Sequence, residues 1–215
     1  MLVAIWMRDP TTIRGDVSIG EAAATMARTR CRHLLVIDAA GALRGIVSLH
    51  DLARAFPPDV NPLAAAGPGD GPRRPVAEVM TAHPITVTPA TPIEEAAGIM
   101  LARKFNALPV VQGGAVAGIL TDSDVMRAFV ELVSGGETGA GTHGARITFD
   151  VSAGEDAVGF LIELARARRS RVASILTVHH QERLLAVARV VGGDLDGLVG
   201  AVWRSGHRVL SVLQS

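Results

Sequence analysis

Tyrosine is absent from this 215-residue chain, lysine and cysteine occur once each, and aromatic residues make up only 3% although apolar residues reach 48%. The core must therefore be packed by Leu, Val, Ile and Ala. Exposed aromatic platforms on which single-stranded nucleic acid would stack are not expected. Twenty-one basic and twenty-one acidic residues cancel, which removes the electrostatic footprint of a protein whose main task is binding nucleic acid or an anionic membrane. Cys31 has no partner for an intrachain disulfide. Arg, Asp, His or Gly interrupts every apolar run before it is long enough to span a bilayer. No charged and apolar leader precedes the first structured pattern, so a cytoplasmic location is expected. A phosphate-binding P-loop, a dinucleotide fingerprint and a convergent nucleophile, base and orienting group are all missing, and an enzyme is not expected. His179 and His180, beside Glu182, are adjacent in an extended segment and point to opposite faces, so no metal is expected either.

What the chain does have is a duplication. Gly45-Ile46-Val47-Ser48-Leu49-His50-Asp51 returns as Gly118-Ile119-Leu120-Thr121-Asp122-Ser123-Asp124. The matching stretches begin at Met7-Arg8-Asp9-Pro10 and Met80-Thr81-Ala82-His83-Pro84, and Leu34-Leu35-Val36-Ile37 keeps step with Leu108-Pro109-Val110-Val111. Each repeat leaves an apolar face that its twin covers, so the seam is a natural pseudo-symmetric cleft. Repeat 1 is placed at 1–56 and repeat 2 at 76–133. Between them the Pro- and Gly-rich stretch 57–75 reads as a linker, and the glycines of 134–144 as a flexible tether. Each repeat is expected to run β-α-β-β-α. It begins with extended Thr12-Ile13 or Thr86-Val87 and closes with a helix starting at Ser48 or Thr121.

From 145 to 215 the order changes. Arg146 to Val151 reads as a strand, Glu155 to Arg168 as a helix, and Val172 to Val178 and Leu184 to Val191 as two strands. A helix carrying Leu195, Leu198, Val199 and Val202 follows, then a last strand from Arg208 to Leu213. This βαββαβ order is a ferredoxin-like arrangement. The fold class expected is α+β, with two repeats in one pseudo-symmetric module and this third piece tethered behind it.

The repeated glycine, two apolar residues, Ser or Thr, and an Asp three further on resemble the signature of tandem CBS domains, the regulatory pair also called a Bateman module. The resemblance covers residues 1 to about 133. It implies an adenosine-containing ligand, such as AMP, ADP, ATP or S-adenosylmethionine, in the cleft between repeats. By the same resemblance Asp124 and Thr121 serve one site and Asp51 and Ser48 the other, the carboxylate accepting from ribose hydroxyls. Thr86, Val87, Ala107, Leu108 and Pro109, with Thr12, Ile13, His33, Leu34 and Leu35, form the walls around the base. Because Leu35 and His33 stand where the second copy has Pro109 and Ala107, the second cleft is expected to bind more tightly. His33 either narrows the first cleft or helps hold phosphate. The tail is similar to an ACT-like domain, and the whole to CBS proteins of the acetoin-utilisation type, although Ala153-Gly154 replaces the usual Pro-Gly of the first turn.

A purely structural reading stands beside this one. Ser or Thr with an acidic residue three on is close to a capping box, which satisfies backbone donors without any ligand. Two functions are therefore carried forward. One is a non-catalytic regulatory protein that senses an adenine nucleotide as effector and acts on itself or on a regulated enzyme. The other is a structural dimerisation or adaptor scaffold with no nucleotide. A homodimer is expected in both, because apolar helix faces and sheet edges call for a second copy.

Overall fold

A computed structural model describes residues 1–56, 61, 72–134 and 143–214. Most of the two stretches expected to be linkers, 57–60 and 62–71 of the first and 135–142 of the second, lies outside the described residues. By packing, the chain divides into units 1–126 and 127–215.

The first unit opens with a short helix α1 (Val3–Trp6), followed by β1 (Thr12–Arg14), α2 (Ile19–Thr29), β2 (His33–Ile37), β3 (Leu43–Ser48) and α3 (Leu49–Ala53). Ser18 caps α2 by accepting from the Glu21 amide, and Arg30 ends it in the left-handed region at φ 53°. Ile19, Ala22, Ala23 and Met26 recur at helical spacing and are at most 1% exposed, packed on Leu34, Val36 and Val47. A 3-10 turn (Val76–Glu78) and β4 (Thr81–Ala82) lead into the second copy: α4 (Ile93–Arg103), β5 (Ala107–Gln112), β6 (Ala115–Thr121) and α5 (Asp122–Ser134). Gly113 and Gly114 both take positive φ, as the tight turn between β5 and β6 requires.

The copies exchange their leading segments, which the sequence reading did not anticipate. β1 runs parallel to β2, β2 antiparallel to β3, and β3 antiparallel to β4, so a strand from the second copy completes the first copy's sheet. Reciprocally, Arg8 bridges Ile119 of β6, and the Val3 amide donates to the Thr91 carbonyl. Val76, fully buried, belongs to the first copy's core. The expected β-α-β-β-α pattern needs one correction. Thr86-Val87 is no strand and makes a single parallel bridge, Val87 to Val110. The reason is Pro109. In the first copy the Leu35 amide donates to the Thr11 carbonyl, but Pro109 at the matching place in β5 has no N–H to give.

The second unit contains β7 (Gly144–Asp150), α6 (Ala157–Ala167), β8 (Arg171–His180), β9 (Arg183–Val191), α7 (Leu195–Trp203) and β10 (Val209–Gln214). They form one antiparallel sheet of order β10-β7-β9-β8. Ala145, Ile147 and Phe149 of β7 and Ala186, Ala188 and Val190 of β9 bury one face of the sheet against Leu161, Ala165, Leu198 and Val202. Both helices start on an aspartate, Asp156 or Asp194, that accepts from a glycine amide three residues on, Gly159 or Gly197. The C-terminal half of α5 lies in this unit, where Ser174 Oγ donates to the Val133 carbonyl at 3.0 Å. The division at 126/127 therefore falls inside α5.

Candidate functional site

Two hydroxyl–carboxylate pairs open α3 and α5. Asp51 Oδ2 accepts from the Ser48 amide at 2.8 Å and from Ser48 Oγ at 2.6 Å, and Ser48 Oγ accepts in turn from the Asp51 amide at 3.2 Å. This is a complete capping box. Asp124 Oδ2 repeats the arrangement, accepting from the Thr121 amide at 3.0 Å and Thr121 Oγ1 at 2.6 Å. The structural reading of both pairs is therefore real. What separates them is the other carboxylate oxygen. Asp51 Oδ1 accepts no hydrogen bond from the described residues, and Asp51 lines a cavity of about 470 Å³. Asp124 is 0% exposed and its Oδ1 accepts from Arg8 Nε at 2.6 Å.

Both copies wall the cavity. The first contributes His33, Ile46, Ser48, His50 and Asp51; the second contributes Thr81, His83, Pro84 and Ile85 from its leading segment, and Lys104, Phe105, Asn106, Ala107 and Pro109 from the end of α4 and the start of β5. Strand alternation decides which side chains take part. Ala107 and Pro109 face the cavity, so Leu108 between them faces away and is 1% exposed. The volume lies in the range of small-molecule sites, and Ile46, Ile85, Ala107 and Pro109 supply an apolar slot of the kind a planar base needs.

Basic side chains outnumber the carboxylate: His33, His50, His83 and Lys104 line the cavity together with Asp51. Burial lowers the His33 pKa from its ordinary value; neighbouring Arg32 pushes the same way, while Asp122 and Asp51 oppose. The ring is therefore neutral near pH 7. His83, which lines this cavity, holds φ 48°, an uncommon conformation for a residue with a Cβ. A neighbouring hollow of about 380 Å³ shares His33, Ser48, His50 and Asn106 and adds Arg32 and Asp122.

Of the residues expected at the site, this cavity gathers His33, Ser48, Asp51, Ala107 and Pro109. Leu35 packs instead with Ala107 and Ile119 in the apolar seam between repeats. Leu34 lies in the first copy's helix-facing core with Val36. Leu108 likewise takes an even-numbered step along a strand whose odd positions, Ala107 and Pro109, line this cavity. Ile13 packs on that first core, Thr12 and Thr86 are exposed, and Val87 is buried beside β5. Thr121 and Asp124 pair with each other, and Asp124 also with Arg8. Ile46, His50, Thr81, His83, Pro84, Ile85, Lys104, Phe105 and Asn106 also line this cavity and are not among the residues expected there. The repeat register carried the signal, since Met80 to Pro84 opens the second copy, but only the exchange of segments shows that it serves the first copy's motif.

In the second unit, Asp150 is 2% exposed at the end of β7. Ser152 donates to its Oδ1 from both amide and hydroxyl, and Arg208 lies 3.5 Å from Oδ2. These bonds, Ser152 first and Arg208 after, hold its pKa below the usual carboxylate value. Among the described residues, no group of three or more His, Cys, Asp or Glu side chains is placed to hold a metal, and no helix is long and apolar enough to cross a membrane.

Known proteins show the same two repeats. The family model for the CBS domain matches residues 5–58 and 76–131. The CBS domain pair of protein MJ0100, solved with methylthioadenosine and S-adenosyl-L-methionine, is 30% identical at a TM-score of 0.51, covering 60% of this chain and 96% of that one. CBSX2 solved with AMP is 30% identical at a TM-score of 0.50, covering 60% and 96%; the protein comes from Arabidopsis thaliana. A proposed acetoin utilization protein, AcuB, from Vibrio cholerae is 30% identical at a TM-score of 0.52, covering 62% and 94%. Among curated proteins, the homoserine O-acetyltransferase of Methanohalobium evestigatum is 30% identical over 129 residues, 60% of this chain and 24% of the relative. The inosine-5'-monophosphate dehydrogenase of Mycobacterium leprae is 34% identical over 121 residues, 55% of this chain and 20% of the relative. The match thus spans a quarter or less of these two curated relatives.

Proposed function

The chain belongs to the CBS-domain family, and from that premise we propose that it is a non-catalytic regulatory protein whose repeat pair binds an adenosine-containing ligand, AMP, ADP, ATP or a similar molecule, in the cavity at Asp51. One observation carries the reading: Asp51 lines a cavity of about 470 Å³ between the copies, and its Oδ1 accepts no hydrogen bond from the described residues. The apolar slot takes the base, Asp51 accepts from the ribose hydroxyls, and His33, His50, His83 and Lys104 face the charged end of the ligand. The solved relatives with AMP, methylthioadenosine and S-adenosyl-L-methionine support the ligand class. The second unit is read as a ferredoxin-like, ACT-like domain on the strength of its βαββαβ order and sheet order, and ligand binding is relayed to a partner or to this C-terminal domain. A cytoplasmic homodimer completes the proposal.

The scaffold reading keeps one specific support, the complete capping box at Ser48 and Asp51, which would exist without any ligand. Calorimetry of the full chain with AMP, ATP and 2′-deoxy-AMP separates the two. Binding of AMP or ATP that weakens on loss of the 2′-hydroxyl supports the sensor. Absence of binding to all three leaves the scaffold.

A further inference from the structure

The two carboxylates of the duplicated motif sit in equivalent places but meet different neighbours, and the difference traces to one pair of residues. Met80 packs over Gly45 and Met7 packs over Gly118. The residue after each methionine then pairs with the strand that leads into the motif. Thr81 pairs with Ile46, two residues before Ser48, and Arg8 pairs with Ile119, two residues before Thr121. The Arg8 amide donates to the Ile119 carbonyl at 2.9 Å and the Ile119 amide returns the bond at 3.0 Å, so the backbone of Arg8 is fixed in register. Thr81 and Arg8 are therefore the same position in the two copies.

At the first copy that position holds a threonine, which lines the open cavity beside Asp51. At the second it holds an arginine, whose Nε donates to Asp124 Oδ1 at 2.6 Å while Thr121 occupies Oδ2. Resting on the preceding assignment of Asp51 as a ligand contact, we infer that Arg8 is an internal plug: it occupies the carboxylate of the second of two pseudo-equivalent sites and limits the chain to one adenosine ligand. The chemistry is direct. A ribose hydroxyl offers a neutral donor, and to reach Asp124 it must displace a charge-assisted bond from a cation and leave that cation without its partner. Asp124 is fully buried, so the lost pair is not replaced by water. The Arg8 side chain is itself 56% exposed, which places the removable half of the pair on the solvent side.

Substitution of Arg8 reads this out as stoichiometry. Titration of the full chain with AMP, and separately with ATP, is expected to give one ligand per chain for the natural protein. Arg8→Thr, which copies the first site, is expected to give two. The added binding should vanish with Asp124→Asn and the original binding with Asp51→Asn. Because Arg8→Thr leaves a buried carboxylate short of a donor, Arg8→Gln is made in parallel; it keeps an N–H for Asp124 without the charge, and circular dichroism reports that each variant is folded. Two ligands per chain in the natural protein overturn the inference, as does a folded Arg8→Thr or Arg8→Gln that still binds one. If the natural protein binds neither nucleotide, the assignment of Asp51 fails. The role of Arg8 then stands only if Arg8→Thr gains binding that Asp124→Asn abolishes, and it falls with no gain.

Discussion

Asp51 and Asp124 show how little a residue's identity says about its use. Each takes two hydrogen bonds from the hydroxyl residue three positions back, and each stabilises a helix start. Asp51→Ala is expected to cost about 0.5 to 2 kcal/mol of stability by loss of the cap in either reading. Only the sensor reading adds a binding effect. Removing a carboxylate that accepts ribose hydroxyls should then weaken AMP by roughly 1.5 to 3 kcal/mol, about one to two orders of magnitude in Kd. Calorimetry on the variant checks this, and unchanged affinity with a lowered Tm would reduce Ser48 and Asp51 to a cap. His33 gives a second test. Its folded pKa lies below the ordinary 6.5, so the unfolded chain takes up the proton first. Stability is full above that value and declines as pH falls through it, flattening below the folded pKa. Urea midpoints measured between about pH 7.5 and about pH 5 should fall more steeply for the natural chain than for His33→Asn. Parallel slopes would show that His33 is not the group responsible.

Elements position these residues through contacts that tolerate little extra volume. A Cβ at Gly45 would stand 2.5 Å from Met80 Sδ and 3.0 Å from the Thr81 carbonyl. Gly45→Val is therefore expected to push β4 off β3, with a cost of about 1 to 3 kcal/mol from overpacking and a loss of nucleotide affinity as Thr81 leaves the cavity wall. Urea denaturation and calorimetry on one preparation test both halves, and a variant with natural affinity would separate β4 from the site. Gly98 is the opposite case. It lies exposed within α4, a Cβ there meets nothing within 4 Å, and Gly98→Ala should raise stability by about 0.5 to 1 kcal/mol. Much at this scale was legible in sequence: the helix of the second copy, its Gly113-Gly114 turn and the six elements of the tail follow from apolar spacing and turn residues. The short strand β4 and the loss of a strand at Thr86-Val87 were not, because strand pairing depends on which amide faces which carbonyl across the sheet.

For the whole molecule, the expected assembly is a homodimer. β8 and β10 are the edges of the second unit's sheet, and β10 exposes Leu210 and Leu213 by 43% and 64%. The first unit leaves Leu101 and Met126 exposed by 83% and 62%. Open edges and apolar helix faces are both features that a second copy covers. Light scattering at micromolar concentration should give the mass of two chains, and one-chain mass would leave these surfaces to some other partner.

By itself the sequence determined that the chain repeats, that each repeat ends in a hydroxyl–carboxylate pair at a helix start, and that a separate α+β piece follows. These are local patterns, set by residues a few positions apart, and local patterns survive being read in one dimension. Tertiary structure alone decided that Asp51 lines a cavity while Asp124 is fully buried. Leu34 and Leu108 turned inward because alternate residues of a strand face opposite sides, a choice that the burial of the whole sheet makes. Arg8 reached Asp124, 116 positions away, because the two copies exchange their leading segments. The same exchange set a threonine beside Asp51 and an arginine on Asp124, so one motif written twice became a cavity at one end and an ion pair at the other.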